Sequence, residues 1–277
     1  MTPHRFVLCD VFTDRPLAGM PLAVFTRATG LSDESMLALA REMNASETAF
    51  VEPPRAGGHA RVRVFGPAAE VLEPGHSVLG TAVVLGGALQ AEEVRLETQR
   101  GAVSVRLERE GARIVFGWVH EPLPGVAPHA ASSALFEALE LDAALLPGFS
   151  PVSAAGYVLV ASSMDQLVAL APNRQALARL GSERICVYAG ERGHYRARVF
   201  VAADDRVESS LAPAAVGAMA ACLVRHEREH ADANLSIESG AELSRPSLVH
   251  VRLESGSPQS LAIGGAAVVV GRGEVAV

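Results

Sequence analysis

The stretch Glu73-Pro74-Gly75-His76-Ser77-Val78-Leu79-Gly80-Thr81-Ala82-Val83-Val84-Leu85-Gly86-Gly87 decides the fold of this 277-residue chain. From His76 to Gly87 it is almost entirely apolar and small. A helix with that pattern has no polar face and is buried on every side. Such a helix needs a shell, and the flanking sequence supplies one. Phe6–Phe12, Leu22–Phe25, Glu47–Glu52, Ala60–Phe65, Val94–Thr98, Val103–Glu108 and Arg113–Val119 are short, β-branched and often alternating, with Gly, Pro and Asn/Asp turns between them. One amphipathic helix interrupts them, Asp33–Asn44, with Ser32 as its N-cap and acids in its first turn. The second half repeats the plan. Strands are predicted at Ala155–Ala161, Arg184–Ala189, Tyr195–Ala202, Ser247–Leu253, Ser260–Gly264 and Ala266–Gly271. Short helices are predicted at Met164–Leu170 and Asn173–Leu180, and a long Ala-rich helix at Pro213–His230. The result is an α+β chain of two similar lobes, each a set of strands around one small-residue helix. The Pro/Gly-rich run Glu121–Pro128 is the boundary, and a cleft between lobes is the expected small-molecule site.

Composition removes whole classes of chemistry. All 24 Lys+Arg residues are arginine. Without lysine there is no Schiff base, hence no pyridoxal-phosphate or lysine-aldolase catalysis. There is also no P-loop lysine and no kinase lysine. With 31 acidic residues the net charge is −7, which argues against a nucleic-acid or anionic-membrane partner. Mean hydropathy of +0.23 is ample for a core, yet no apolar run approaches the ~20 residues of a membrane span. The start, Met1–Arg5, lacks a signal-peptide layout. A cytoplasmic protein is expected, with Cys9, Cys186 and Cys222 as buried reduced thiols.

Three segments carry chemistry. Asn44-Ala45-Ser46-Glu47-Thr48-Ala49-Phe50-Val51 sets the Glu47 carboxylate between a helix end and an apolar strand. That is a place for a general acid/base, or simply for an exposed helix-terminal glutamate. Gly75-His76 opens the buried helix, whose first N–H groups favour an anion and disfavour imidazolium. His76 is therefore a candidate neutral donor or acceptor, or a capping residue. Glu208–Gly217 reads as an N-cap signal, Ser followed by Pro, at Ser210 and Pro213. His226-Glu227-Arg228-Glu229-His230 matches H-E-x-x-H, which on a helix would offer two histidines to zinc and Glu227 as base. The run is charge-rich, ends its helix and has no third ligand, so no metal is expected. His194, beside Tyr195 and Arg196, is expected in a turn, with a place lining the cleft as the alternative, and Tyr188 and Trp118 are expected in packing.

Taken together, Asp10–Thr13, Pro16–Phe25, Arg41–Asn44, Ser46–Val51, Gly75–Ala82, Arg198–Phe200, the Pro213–Leu223 helix and Ser244–Leu248 resemble, in order and over essentially the whole chain, the PhzF-like isomerases of phenazine biosynthesis. The resemblance implies the diaminopimelate-epimerase-like fold, with two lobes that are each a barrel-like sheet around a central helix. The first lobe would be 1–118 plus 264–277 and the second 119–263, with the active site between them. It also implies a homodimer that uses no cofactor. It puts the family's proton-moving glutamate at Glu47 and its active-site histidine at His76. Substrate-binding positions fall at Met20, Gly75, Ser77, Ser209, Ser210 and Ala214. The cysteine pair of related epimerases would fall at Pro74 and near Pro213, which excludes a two-thiol racemase.

The departures are concentrated in the second lobe. The family's Glu-Asp-x-x-Thr-Gly-Ser-Ala reads here Glu208-Ser209-Ser210-Leu211-Ala212-Pro213-Ala214-Ala215. The acidic partner becomes Ser209, and the Gly-Ser anion cradle becomes Pro213-Ala214, losing one N–H and one hydroxyl. Gly-Asn-Pro becomes Gly19-Met20-Pro21, and the Thr after Phe65 becomes Gly66. Arg63, Arg196 and Arg198 are candidates to clamp a substrate anion instead. The expected function is a cofactor-independent isomerase that shifts a proton and a double bond in a small unsaturated amino or imino acid of secondary metabolism. Glu47 would be its general acid/base, with His76 and the helix-start N–H groups stabilising the developing charge. The alternative is a non-catalytic homologue that binds a small ligand or partner. A third reading keeps the glutamate for a hydrolysis or cyclisation.

Overall fold

The computed structural model describes residues 2–72, 75–130, 133–142, 150–181, 183–201, 208–256 and 259–277. The chain divides into two compact units, 1–120 with 264–277 and 121–263. The first contains β1 (Pro3–Val11), β2 (Met20–Phe25), α1 (Asp33–Met43), β3 (Glu47–Glu52), β4 (Ala60–Phe65), α2 (His76–Leu89), β5 (Glu93–Thr98), β6 (Gly101–Glu110) and β7 (Arg113–Pro122), the last running to the boundary. The second contains β8 (Ala127–Pro128), α3 (Ser133–Leu139), β9 (Val152–Ala154), β10 (Tyr157–Ala161), α4 (Met164–Ala169), α5 (Arg174–Arg179), β11 (Arg184–Glu191), β12 (His194–Val201), β13 (Glu208–Ser209), α6 (Pro213–Arg225), β14 (Asn234–Ser239), β15 (Ser247–Glu254) and β16 (Ser260–Gly265). β17 (Ala267–Ala276) returns to the first unit and pairs antiparallel with β1 along its whole length.

The two units repeat one topology. In the first, β2 and β3 pair parallel across α1, and β4 and β5 pair parallel across α2. In the second, β10 and β11 pair parallel across α4 and α5, and β12 and β14 pair parallel across α6. The neighbours β1–β2, β3–β4, β5–β6, β6–β7, β8–β9, β9–β10, β11–β12, β12–β13 and β14–β15 are antiparallel. Parallel neighbours need a long crossover, and each helix supplies one. This is the α+β, diaminopimelate-epimerase-like architecture.

α2 is the axis of the first unit. Residues His76–Val83 and Gly86 are buried. It lies so close to the strands that a Cβ at Gly80 would sit 2.5 Å from Leu22 Cδ2, and one at Gly86 2.3 Å from Leu107 Cδ1. No acid lies in its first turn and no base in its last. Near its C-terminus Arg109 of β6 donates through Nη2 to Gly86 O at 2.8 Å, and also to Ala91 O, just past the helix, at 2.9 Å. On the other face of the sheet, α1 covers Phe25, Phe50 and Phe65 with Met36, Leu39 and Ala40. The Phe25 and Phe50 rings stack at 4.9 Å. Ser32 accepts from Ser35 N as N-cap, as the local signal predicts. In the second unit α6 is the counterpart of α2, buried from Ala215 to Leu223.

Several sequence expectations are corrected. The helix predicted to run to His230 stops at Arg225, and Glu227 is left-handed at φ 53°. Its apolar face ends at Leu223, beyond which nothing holds the charged run helical. Ala155 and Gly156 do not open a strand. They form a turn at φ 47° and 78° between β9 and β10. His194 begins β12 rather than lying in a turn. α3 and β14 have no counterpart in the prediction. The predicted end of β12 at Ala202 lies outside the described residues. Among the described residues, no helix is long and apolar enough to cross a membrane.

One carboxylate ties a loop to the first unit. Glu97 on β5 accepts N–H bonds from Arg55 at 2.6 Å, Ala56 at 2.7 Å and Gly58 at 2.8 Å. These donors, the Arg55 N–H foremost, hold its carboxyl below the usual carboxylate range. A depressed folded value gives stability that is present above the unfolded value, about 4.5, and is lost as pH falls through the folded one. Glu97→Gln is therefore expected to lower stability at neutral pH. Urea melts of both proteins at stepped pH should show the difference shrinking on acidification below about 4.5.

Candidate functional site

Glu47 is the first residue of β3 because α1 stops at Met43, four residues earlier. Asn44 takes the left-handed conformation at φ 50°, and its N–H closes on Ala40 O and Arg41 O. Parallel pairing of Leu22 with Glu47 then sets the register. The α2 N-terminus arrives from the other side, with Gly75 as N-cap and no side chain of its own segment bonding it. Glu47 fills that role. Gly75 N–H donates to Oε1 at 3.0 Å and to Oε2 at 3.3 Å, and Ser77 N–H donates to Oε2 at 3.0 Å. The side chain is 12% exposed. His76 lies between two acceptors: its Nδ1 is 3.5 Å from Glu47 Oε2, and its Nε2 is 3.4 Å from Pro21 O.

This geometry revises two expectations. His76 does not cap the helix; Gly75 does, and Glu47 satisfies its N–H. The Gly75 and Ser77 N–H groups do not await a substrate charge, because they already hold the Glu47 carboxylate. The helix field, worth about 0.3–1 kcal/mol and up to about 2 when partly buried, acts on that carboxylate. The arrangement offers an anchored carboxylate whose Oε1 accepts, among the described residues, only the Gly75 N–H, beside an imidazole.

The remaining predicted positions are distributed as follows. Met20 is 1% exposed and the Ser77 side chain is fully buried. Ser209 ends β13, Ser210 follows it, and Ala214 lies in the first turn of α6. Ser210 is not the N-cap. Ala212 is, with no side-chain bond, and Pro213 occupies the first helical position. Glu73 and Pro74 lie outside the described residues.

The arginines are not free clamps. Arg63 makes a two-bond fork to Glu70 at 2.8 and 2.7 Å and reaches Asp33 at 2.5 Å, which holds both carboxyls below their usual range. Arg198 forks onto Glu208 at 3.0 and 2.7 Å. It also donates to Leu167 O at 3.0 Å and Leu170 O at 2.7 Å, at the end of α4. Arg196 pairs with Glu242. Each guanidinium fastens one element to another, a role no local pattern announces. The H-E-x-x-H segment is not helical, so its histidines do not share a helix face. Its Glu229 instead accepts from Gly193 N at 2.7 Å and Tyr195 OH at 2.6 Å. The cysteines are buried and free. Burial pushes the Cys9 and Cys186 thiols up to about 12, and Cys222 upward as well, so none is a nucleophile at neutral pH. Trp118 and Tyr188 are packing residues. Trp118 donates to Glu108 at 2.7 Å, and the Tyr188 hydroxyl lies 3.3 Å from Cys222 Sγ.

The family model described as "Phenazine biosynthesis-like protein" (PhzC-PhzF) matches residues 9–273. The chain belongs to this family. A trans-2,3-dihydro-3-hydroxyanthranilate isomerase of Pseudomonas aeruginosa is 35% identical over 274 residues, covering 97% of this chain and 99% of the relative. Among solved structures, a PhzF-family protein of Bacillus anthracis superposes with TM-score 0.86 at 23% identity, covering both chains fully. A probable proline racemase of Agrobacterium radiobacter superposes at 0.66 with 13% identity, covering 99% of this chain and 93% of that one. The protein is thus a PhzF-like isomerase, and the fold it shares with the racemase extends beyond its own family.

Arg198 supplies a test of the structural role of these cations. Its side chain is 7% exposed and that of Glu208 14%. Breaking a buried pair from one side typically costs roughly 3–5 kcal/mol. Arg198→Met is expected to lose stability of that order in urea denaturation. Arg198→Met combined with Glu208→Gln should recover part of it, because no uncompensated charge is then left buried.

Proposed function

We propose that this PhzF-like isomerase moves a proton and a double bond within a small unsaturated amino or imino acid of secondary-metabolite biosynthesis, with Glu47 as general acid/base. The observation that carries the reading is the Glu47 carboxylate held on the Gly75 and Ser77 N–H groups, with His76 beside it. Full-length similarity to relatives named for isomerising trans-2,3-dihydro-3-hydroxyanthranilate supports a phenazine-type precursor, or a close analogue, as substrate. In the proposed step Glu47 removes a proton from an acidified carbon, and the electron pair delocalises over the conjugated system. The same carboxyl then returns the proton to another carbon. Atoms and electrons balance without oxidant, reductant or cofactor. His76, lodged between Glu47 and the Pro21 carbonyl, steadies the carboxylate through both halves. The reading also includes a cytoplasmic homodimer.

Ser209 and Pro213-Ala214, standing where the family carries an acid and a Gly-Ser pair, favour a second reading, a ligand-binding homologue without turnover. One experiment separates them. Purified protein is incubated with trans-2,3-dihydro-3-hydroxyanthranilate in deuterated water and followed by nuclear magnetic resonance. The isomerase reading expects a shifted double bond, with deuterium at the new C–H position to the extent that the proton on Glu47 exchanges with solvent before its return. Glu47→Gln should slow the reaction by about 10²–10⁴-fold, the usual contribution of a positioned acid/base. Binding without a shifted double bond would establish the second reading, and undiminished turnover by Glu47→Gln would remove Glu47 from the mechanism.

A further inference from the structure

The register of β17 with β1 fixes which way each backbone group of β17 points. Thr2 and Val277 exchange both N–H···O bonds, at 3.0 and 3.4 Å. Successive pairs in an antiparallel ladder alternate between bonded and unbonded. The register runs unbroken from Pro3 opposite Ala276 to Leu8 opposite Gly271. Val275, Gly273 and Gly271 therefore bond β1, while Ala276, Glu274 and Arg272 turn their N–H and C=O groups the other way. Two facts agree with this. Pro3, opposite Ala276, has no N–H to give. Arg5, opposite Glu274, gives its carbonyl to Thr26 N–H on the β2 side at 3.3 Å.

Among the described residues, no strand takes up that outer edge. β17 is in register with β1, and β2 is filled on both sides by β1 and β3. Arg272, Glu274 and Ala276 are exposed. A row of unpaired N–H and C=O groups is a template for a further strand. Here the row reads Gly271-Arg272-Gly273-Glu274, one charge of each sign about a glycine.

We propose that this edge pairs with the same edge of a second copy of the chain, antiparallel and centred on Gly273, so that one sheet runs through both copies. Backbone parity and charge select the register. A two-fold axis midway between residues sets an outward residue opposite an inward one, which an antiparallel ladder does not allow. An axis on Arg272 or on Glu274 sets two like charges opposite each other, which is destabilising. An axis on Gly273 sets Arg272 opposite the partner's Glu274, and symmetry makes that pair twice. Both residues point outward, so each pair exchanges two backbone bonds, and their side chains share a face. Glu274 Oε1 accepts from Arg5 Nε at 2.7 Å. Its Oε2, which bonds no described residue, is left for the second cation. On the other face the glycines make room for apolar groups of β1. A Cβ at Gly273 would sit 2.6 Å from Phe6 Cζ, and one at Gly271 3.6 Å from Leu8 Cδ1. Phe6 is half-buried and Leu8 is 37% exposed. Opposite residues in an unbonded pair lie about 4.5 Å apart, so the axis at Gly273 brings the two Phe6 rings together and covers them.

This inference rests on the homodimer of the proposed function and names its surface. The test is the mass in solution, read by light scattering behind a sizing column, with far-UV circular dichroism to show that each variant is folded. The wild-type protein is expected to have twice the mass of the chain. Arg272→Glu alone, or Glu274→Arg alone, sets like charges opposite each other at both pairs, and the mass is expected to halve. The fold tolerates both changes, because Arg272 bonds no described side chain and the Arg5–Glu274 pair is exposed and of small worth. Arg272→Glu combined with Glu274→Arg sets unlike charges opposite again, and the doubled mass is expected to return. Arg272→Pro removes an N–H that points away from β1, so it keeps the ladder within the chain and is expected to be monomeric. A monomeric wild type overturns the pairing and removes the homodimer from the proposed function. A dimer that persists in both single charge variants and in Arg272→Pro overturns the pairing and leaves the homodimer standing. A folded double variant that stays monomeric overturns the register on Gly273.

Discussion

A helix buried from its first residue cannot leave its N-terminal N–H groups to water, and α2 answers that constraint with a side chain from another element. The first N–H groups of a helix and its last carbonyls lack partners within it, and α2 has no charged residue at either end. β3 brings Glu47 to the N-terminus and β6 brings Arg109 to the C-terminus. Each charge has the sign the helix dipole favours. The group proposed to carry the proton is thus also the group that caps the central helix, so that altering one role touches the other.

The second unit meets the same constraint differently. Its buried helix α6 starts with Pro213, which has no N–H, so one orphan donor is absent from the outset. Ala212 O takes the N–H groups of Ala215 and Val216. No carboxylate is needed there. The buried cation of this unit, Arg198, goes elsewhere: it joins β12 to β13 through Glu208 and closes the carbonyl end of α4. The two units share a strand-and-crossover plan, yet among the described residues only the first caps its central helix with a carboxylate.

What could be read without coordinates was what local chemistry dictates. α2 was legible because it lacks polar residues, and α1 because Ser32 and Asn44 are strong end signals. With the end of α1 fixed, the start of β3 at Glu47 followed. The guanidinium partners were not legible. Arg63 finds Asp33 thirty positions away and Arg198 finds Leu167 and Leu170 across another strand. An arginine in sequence looks equally suited to an internal ion pair or a substrate anion. The overshoot of α6 to His230 has the same origin. Its charged run fits helical spacing, but Glu229 serves the β11–β12 turn through Gly193 and Tyr195, a partnership only the tertiary fold reveals. β14 was missed because its alternation, Leu235, Ile237 and Ser239, is brief and ends in serine. The role of Glu47 as a helix cap was invisible for a related reason, since β3 and α2 are separated by a whole hairpin.

The return of β17 to β1 has a consequence for biosynthesis. The strand pair Pro3–Val11 with Ala267–Ala276 joins the first and the last parts of the chain. During translation β1 emerges early and stands as an open edge, a site for wrong pairing, until its partner leaves the ribosome. By then the whole of residues 121–263 has been made and is free to fold as a continuous unit. The unit that carries Glu47 is begun before the other and finished after it.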